Sequence, residues 1–157
     1  MTRCILGIDP GASGAIAFYF PDVPGRVSVD DMPLVNGSVC CVTLAHRIAQ
    51  MGPTEAIVEL VGSMPKQGVS STFKFGASVG AVHGVLGALA VPYALVTPGK
   101  WKRRMGLGSD KEQARALALR TFPAVAEKFS RKKDHGRAEA ALLAYYAAHI
   151  MNERDAA

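Results

Sequence analysis

The 157-residue chain has few cysteines, a single tryptophan and no long apolar run, and each shortage removes a class of protein. Cys4, Cys40 and Cys41 form neither a zinc pattern nor a redox Cys-x-x-Cys pair, and an odd count argues against a secreted disulfide framework. They are expected to be small buried apolar residues. Arg3 and Asp9 break the first apolar stretch, so neither a signal peptide nor a membrane span is expected there. There is no lipidation motif and no basic amphipathic helix with an aromatic face. The expectation is a cytoplasmic protein with no membrane partner. Disorder is excluded as well, since 49% of the residues are hydrophobic.

Acids are scarce in one part of the chain. Residues 1–62 hold three arginines against six acids, whereas residues 63–157 hold fifteen Lys and Arg against seven acids. A basic half favours a polyanionic partner, nucleic acid ahead of membrane. The length suits one domain over residues 1–157.

Patterning predicts strands at Arg3–Asp9, Ala15–Phe20, Arg26–Met32, Glu55–Leu60 and Pro92–Val96. Helices are expected over Val39–Met51, Thr72–Ala90, Asp110–Thr121 (capped by Ser109 or Asp110) and Asp134–Met151. Gly62–Gly68 reads as a loop, Thr97–Gly108 as a basic connector and Arg131–Lys133 as an exposed basic turn. Hairpin strands first and crossover helices later imply an α/β protein with a mixed five-stranded sheet flanked by helices.

Several residues sit where chemistry is more natural than packing. Asp9 ends an apolar strand at a Pro10-Gly11 turn, which is either a plain hairpin turn or the lip of a ligand crevice, with Gly11 and Gly14 admitting a phosphate backbone. Glu59 closes the strand Ala56-Ile57-Val58-Glu59-Leu60, either facing solvent or paired, because an uncompensated buried carboxylate is costly. If the two strands are neighbours, Asp9 and Glu59 lie side by side and a divalent cation would relieve their repulsion. Lys66, Gln67, Phe73, Lys74 and Phe75 mix basic, polar and aromatic groups beside Glu59, a combination that stacks on exposed bases. One of the two phenylalanines could equally anchor the helix start in the core. Gly80, Gly84 and Gly87, with Ala77, Ala81 and Ala88, form a small-residue stripe fitted to the sheet or to the same helix of a second subunit. His83, on the same helix, is expected to be packed or interfacial. Lys100, Lys102, Arg103 and Arg104 surround Trp101, and with Lys111, Arg115, Arg131, Lys132 and Lys133 they would make a sequence-blind phosphate track or a solvated basic face.

The closing segment Lys132-Lys133-Asp134-His135-Gly136-Arg137-Ala138-Glu139 opens an apolar helix with a basic cluster, two acids and a histidine. Acids in a first helical turn suit the macrodipole. His135 and Glu139, four apart, share a helical face. Asp134 and Glu139, five apart, would meet at one site only if Asp134 precedes the helix with its side chain free to turn back. Either Asp134 or His135 could therefore complete a cluster with Glu139. The oxygen preference of magnesium favours Asp134 and leaves His135 for a water or phosphate.

Taken in order, Gly7-Ile8-Asp9-Pro10-Gly11 with Gly14, Val58-Glu59, Thr97-Pro98…Trp101-Lys102, Asp110-Lys111-Glu112 and Asp134–Glu139 resemble the RuvC-type Holliday-junction resolvases, most of all the plant chloroplast branch and its bacterial or phage relatives. The resemblance implies a ribonuclease H-like fold and a homodimer with two active sites. Each site would use two Mg2+ ions, or Mn2+, to nick one strand of a four-way DNA junction, without a small-molecule cofactor. It maps metal-binding catalytic acids onto Asp9, Glu59, Asp134 and Glu139, a junction-contacting loop onto Lys66–Phe75 and a phosphate-contacting lysine onto Lys111. The better-known bacterial spacing, acid-x-x-acid, would place an acid where this chain has Gly136. Alternatives of other kinds are a non-catalytic junction-binding protein and a general ribonuclease H-like nuclease. An actin-like ATPase shares the Asp-x-Gly hairpin but needs two halves, for which 157 residues leave no room.

Overall fold

The computed structural model describes residues 2–62 and 65–157, so residues 63 and 64 of the expected 62–68 loop lie outside the described residues. Five strands form the main sheet: β1 (Ile5–Asp9), β2 (Ala15–Tyr19), β3 (Val27–Asp31), β6 (Glu55–Glu59) and β7 (Tyr93–Val96). Their order is β3-β2-β1-β6-β7. The first three pair antiparallel, while β6 and β7 join β1 in parallel, which makes the sheet mixed as expected. A two-stranded ribbon, β4 (Leu34–Val35) with β5 (Ser38–Val39), was not legible in the sequence. Its turn residues Asn36 and Gly37 both have positive φ, the conformation a tight two-residue hairpin requires.

Helices cover both faces. Along β1, Leu6 and Ile8 point to a core shared with Leu44 and Ile48 of α1 (Cys41–Met51) and with Val82, Val85 and Leu86 of α2 (Val69–Ala88). Ile5 points to the other core, built with α4 (Lys111–Thr121) and α5 (His135–His149). This period-two division makes Asp9 face the α5 side. Gly7 decides how close α5 comes: a Cβ there would lie 2.3 Å from the Ala140 carbonyl oxygen, so only glycine lets α5 lie directly on β1.

Three expectations change. The connector after β7 contains a helix, α3 (Pro98–Arg104), with Pro98 in its first turn and Trp101 fully buried. Proline at a helix start loses no hydrogen bond, so Thr97-Pro98 is a start signal that the run of basic residues obscured. Helix α2 begins at Val69, three residues earlier than expected. Of the cysteines only Cys4 is buried; Cys41 is exposed on the first turn of α1. Among the described residues no helix is long and apolar enough to cross a membrane.

Candidate active site

Strands β1 and β6 run parallel in the register Ile8↔Val58, so their next residues, Asp9 and Glu59, end the two strands side by side. Helix α5 crosses the same ends, and Glu139, one turn into it, is buried beside them. The three carboxylates feel one another. Burial, followed by Glu59 and then Glu139, pushes the Asp9 carboxyl up to about 7, against a hydrogen bond from the Gly11 backbone and the nearby Lys102 ammonium. Burial also raises Glu59, opposed by its hydrogen bond from Trp101.

Two consecutive residues of α3 hold the two glutamates. The Trp101 indole N–H donates to Glu59 Oε2 at 2.7 Å, and Lys102 Nζ donates to Glu139 Oε1 at 2.8 Å. Sequence reasoning placed Lys102 on a DNA track and gave Trp101 no role in the site. The one available signal was a lone tryptophan three residues after a Thr-Pro helix start. Among the described residues no three His, Cys, Asp or Glu side chains stand at metal-holding distances. The donor chemistry nevertheless suits a hard divalent cation: carboxylate oxygens on two strand ends and on α5, with one ammonium among the described residues set against three clustered carboxylates.

Asp134 is not brought to this cluster. Helix α5 begins at His135, one residue later than expected, so Asp134 precedes it, but its carboxylate turns back onto the preceding segment. It accepts from the Arg131 backbone N–H at 2.8 Å and from Arg131 Nε and Nη2 at 2.9–3.2 Å, with Arg137 Nη1 3.7 Å away. Burial would raise its carboxyl, but the Arg131 bonds outweigh that and hold it below the usual carboxylate range. Arg137 is occupied in turn by Asp31, through Nε at 2.7 Å and Nη2 at 2.9 Å. The next residue, His135, keeps a buried Nδ1 with no hydrogen-bond partner. Gly136 is the residue that packs on Asp9: a Cβ there would lie 3.6 Å from Asp9 Oδ2 and 3.0 Å from the Ser13 carbonyl oxygen.

The basic residues divide into groups. Lys111, Lys132, Lys133 and His135 line one cleft of about 630 Å³ with Ser109, Asp110 and Glu112. Asp110 caps α4 by accepting from the Glu112 N–H at 2.9 Å. Arg103 is exposed, whereas Lys100 contacts the Arg154 carbonyl at 3.3 Å and so leans toward the C-terminal segment. Lys66 and Lys74 are exposed, and Gln67 is half-buried. The two phenylalanines part company: Phe73 is 78% exposed, while Phe75 packs on the turn after Asp9, its ring 3.5 Å from where a Gly11 Cβ would stand.

The arrangement of sheet and helices has solved counterparts. A Thermus thermophilus RuvC structure superposes with a TM-score of 0.64 at 15% identity, covering 98% of each chain. T. thermophilus RuvC in complex with Holliday junction substrate gives 0.63 at 16% identity, over 93% of this chain and 95% of that one. The fold is that of RuvC, ribonuclease H-like. No protein-family model matches the chain, and no curated protein sequence does. Identity this low carries the RuvC fold and leaves the chemistry to this chain's own residues.

Proposed function

We propose that this chain is a structure-selective endonuclease that resolves four-way DNA junctions by paired, metal-dependent strand nicks. One observation carries the reading: buried Glu59 and Glu139 and half-buried Asp9 gathered at the strand ends of a RuvC-type sheet, with one ammonium among the described residues set against them. They would hold the divalent cations, Mg2+ or Mn2+, two per site. His135, with its unpartnered Nδ1, is a better fourth donor than Asp134, whose oxygens are committed to Arg131. When bound, such ions activate a water and stabilise the departing 3′ oxygen. The chain's own groups do the rest. Asp9 is central, with both glutamates acting on it, and would be the first residue to hold such ions. Lys111, Lys132 and Lys133 hold backbone phosphates in their shared cleft. The exposed ring of Phe73 is available to stack on an unpaired base, with Lys66, Gln67 and Lys74 nearby in sequence. Phe75 has a different role from Phe73: it braces the Asp9–Gly11 turn.

A homodimer across α2 is part of the proposal. Gly76, Gly80, Gly84 and Gly87 each face open space, and Val69 and Phe73 on the same helix are exposed, so its small-residue face is left for a second helix.

A second reading, a non-catalytic junction-binding protein, draws on one observation: Lys102 already pairs with Glu139, and no three ligands stand ready for a metal among the described residues. Purified protein incubated with labelled four-way junction, matched duplex and RNA–DNA hybrid, with and without Mg2+, decides the matter. Symmetric nicks confined to the junction and dependent on Mg2+ are expected. Junction binding without cutting supports the second reading, and equal cutting of all three substrates makes the protein a general nuclease.

A further inference from the structure

Trp101 is fully buried in the core between the sheet and α5, yet its one polar atom leaves that core to meet a carboxylate. Filling the space requires no N–H; a phenylalanine or leucine would serve. The indole instead takes Glu59 Oε2 at 2.7 Å, a short charge-assisted bond, while the next residue takes one oxygen of Glu139. The two contacts differ in stiffness. Lys102 ends a flexible stem and is 20% exposed, so it can swing off Glu139 when a cation arrives. Trp101 is locked on all sides and cannot.

We propose that Trp101 is a positioning residue that keeps Glu59 a one-oxygen ligand and thereby tunes the site toward small octahedral cations, Mg2+ and Mn2+, against Ca2+. This rests on the metal-site reading above. Calcium collects six to eight oxygens at longer distances and takes carboxylates through both oxygens, whereas magnesium holds a compact octahedron and takes few carboxylates. An N–H fixed on Oε2 competes with any cation for that oxygen and sets the plane of the carboxylate, leaving Oε1 as the stronger donor. Removing the N–H frees Glu59 to rotate and to offer both oxygens, which helps calcium and loosens the octahedral arrangement. Groups that hold a metal's ligands in this way commonly change metal affinity about 10–100-fold when removed.

Trp101 is the only tryptophan, so biosynthetic replacement alters one position. Benzothienylalanine, which exchanges the indole N–H for sulfur at nearly constant shape, is the variant of choice, and Trp101→Phe is the second. Mn2+ and Ca2+ binding to the DNA-free dimer or monomer is measured by calorimetry, beside the melting temperature without metal. The Ca2+-to-Mn2+ ratio of dissociation constants is expected to fall about tenfold or more in the isostere, with the melting temperature held. A ratio within about twofold of wild type overturns the role of Trp101 while leaving the metal site intact. Wild-type protein that binds neither cation overturns the metal-site reading and this inference with it. In the unmodified protein, Mn2+ is expected to quench Trp101 fluorescence. Calorimetric binding without quenching places the ion away from Glu59 and overturns the inference from the wild type alone.

Discussion

Asp9, half-buried, and Asp134, buried, are both acids beside the start of α5, and their surroundings treat them in opposite ways. Asp134 is 2% exposed and fully compensated: one arginine wraps it, a second stands by, and its carboxyl is held low. Asp9 is surrounded by two further acids and pushed up to about 7. A buried carboxylate with its own arginine is a structural part, because the fold has already met its electrostatic cost. A buried carboxylate left among others marks a place where the protein tolerates a deficit of positive charge, which is how sites for cations and for chemistry are recognised.

The sharpest way to test this contrast is to neutralise each acid. Asp9→Asn should reduce Mg2+-dependent junction cutting by about 10³-fold or more, the equivalent of several kcal/mol of lost metal-assisted stabilisation, while junction binding in a gel-shift assay persists. Cutting at the wild-type rate would remove Asp9 from the site. Asp134→Asn should do the reverse: cutting is retained, and urea unfolding shows a loss of about 2 kcal/mol as charge-assisted bonds to Arg131 weaken. Loss of cutting without loss of stability would return Asp134 to the catalytic set.

The same contrast appears in pH dependence. The folded state holds the Asp9 proton up to about 7, above its ordinary value of 3.8, so between these values the native protein binds more protons than the unfolded chain. Through Asp9, metal-free stability therefore falls as pH rises across that window. Asp134 and Asp31 act with the opposite sign: both are held low, by Arg131 and Arg137, so their stabilisation is present above the ordinary carboxylate range and is lost on acidification. Melting temperatures from pH 4 to 8 should show the Asp9 decline in metal-free wild type and its disappearance in Asp9→Asn. A decline unchanged in that variant would assign it to another group. The smallest effect is expected in the cleft lined by Lys111, Lys132 and Lys133. Lys132→Ala should weaken junction binding a few-fold and lower the salt slope of log K by about 1, without altering Mn2+ binding. A fall in Mn2+ affinity would move Lys132 from the phosphates to the metal site.

Much of this was legible before the fold was known, because it follows from local rules. The apolar run Ile5–Ile8 and the β-branched run before Glu59 identified two strands whose last residues are acids, and the apolar run after Glu139 identified the helix that covers them. The small ribbon at Leu34–Val39 was too short to carry a period, and α3 was hidden because a seven-residue helix with four basic residues has no apolar stripe. The fate of the Asp134–Glu139 segment lay beyond any local rule. Spacing left Asp134 and His135 equivalent, and Arg131, three residues upstream, drew Asp134 away once the 3-10 turn Lys132–Asp134 brought the two together.

The sequence by itself determined which residues would end up at the strand ends, since hydrophobic alternation dictates the face each side chain takes and a carboxylate after an apolar run can only sit at the rim. Only the tertiary structure decided which charges meet. Gly7 admits α5 onto β1, α3 lays Trp101 and Lys102 against two glutamates more than thirty residues away in sequence, and Arg131 removes Asp134 from the cluster. Electrostatic energy depends on distance and burial in three dimensions, and neither quantity is written in the order of the residues.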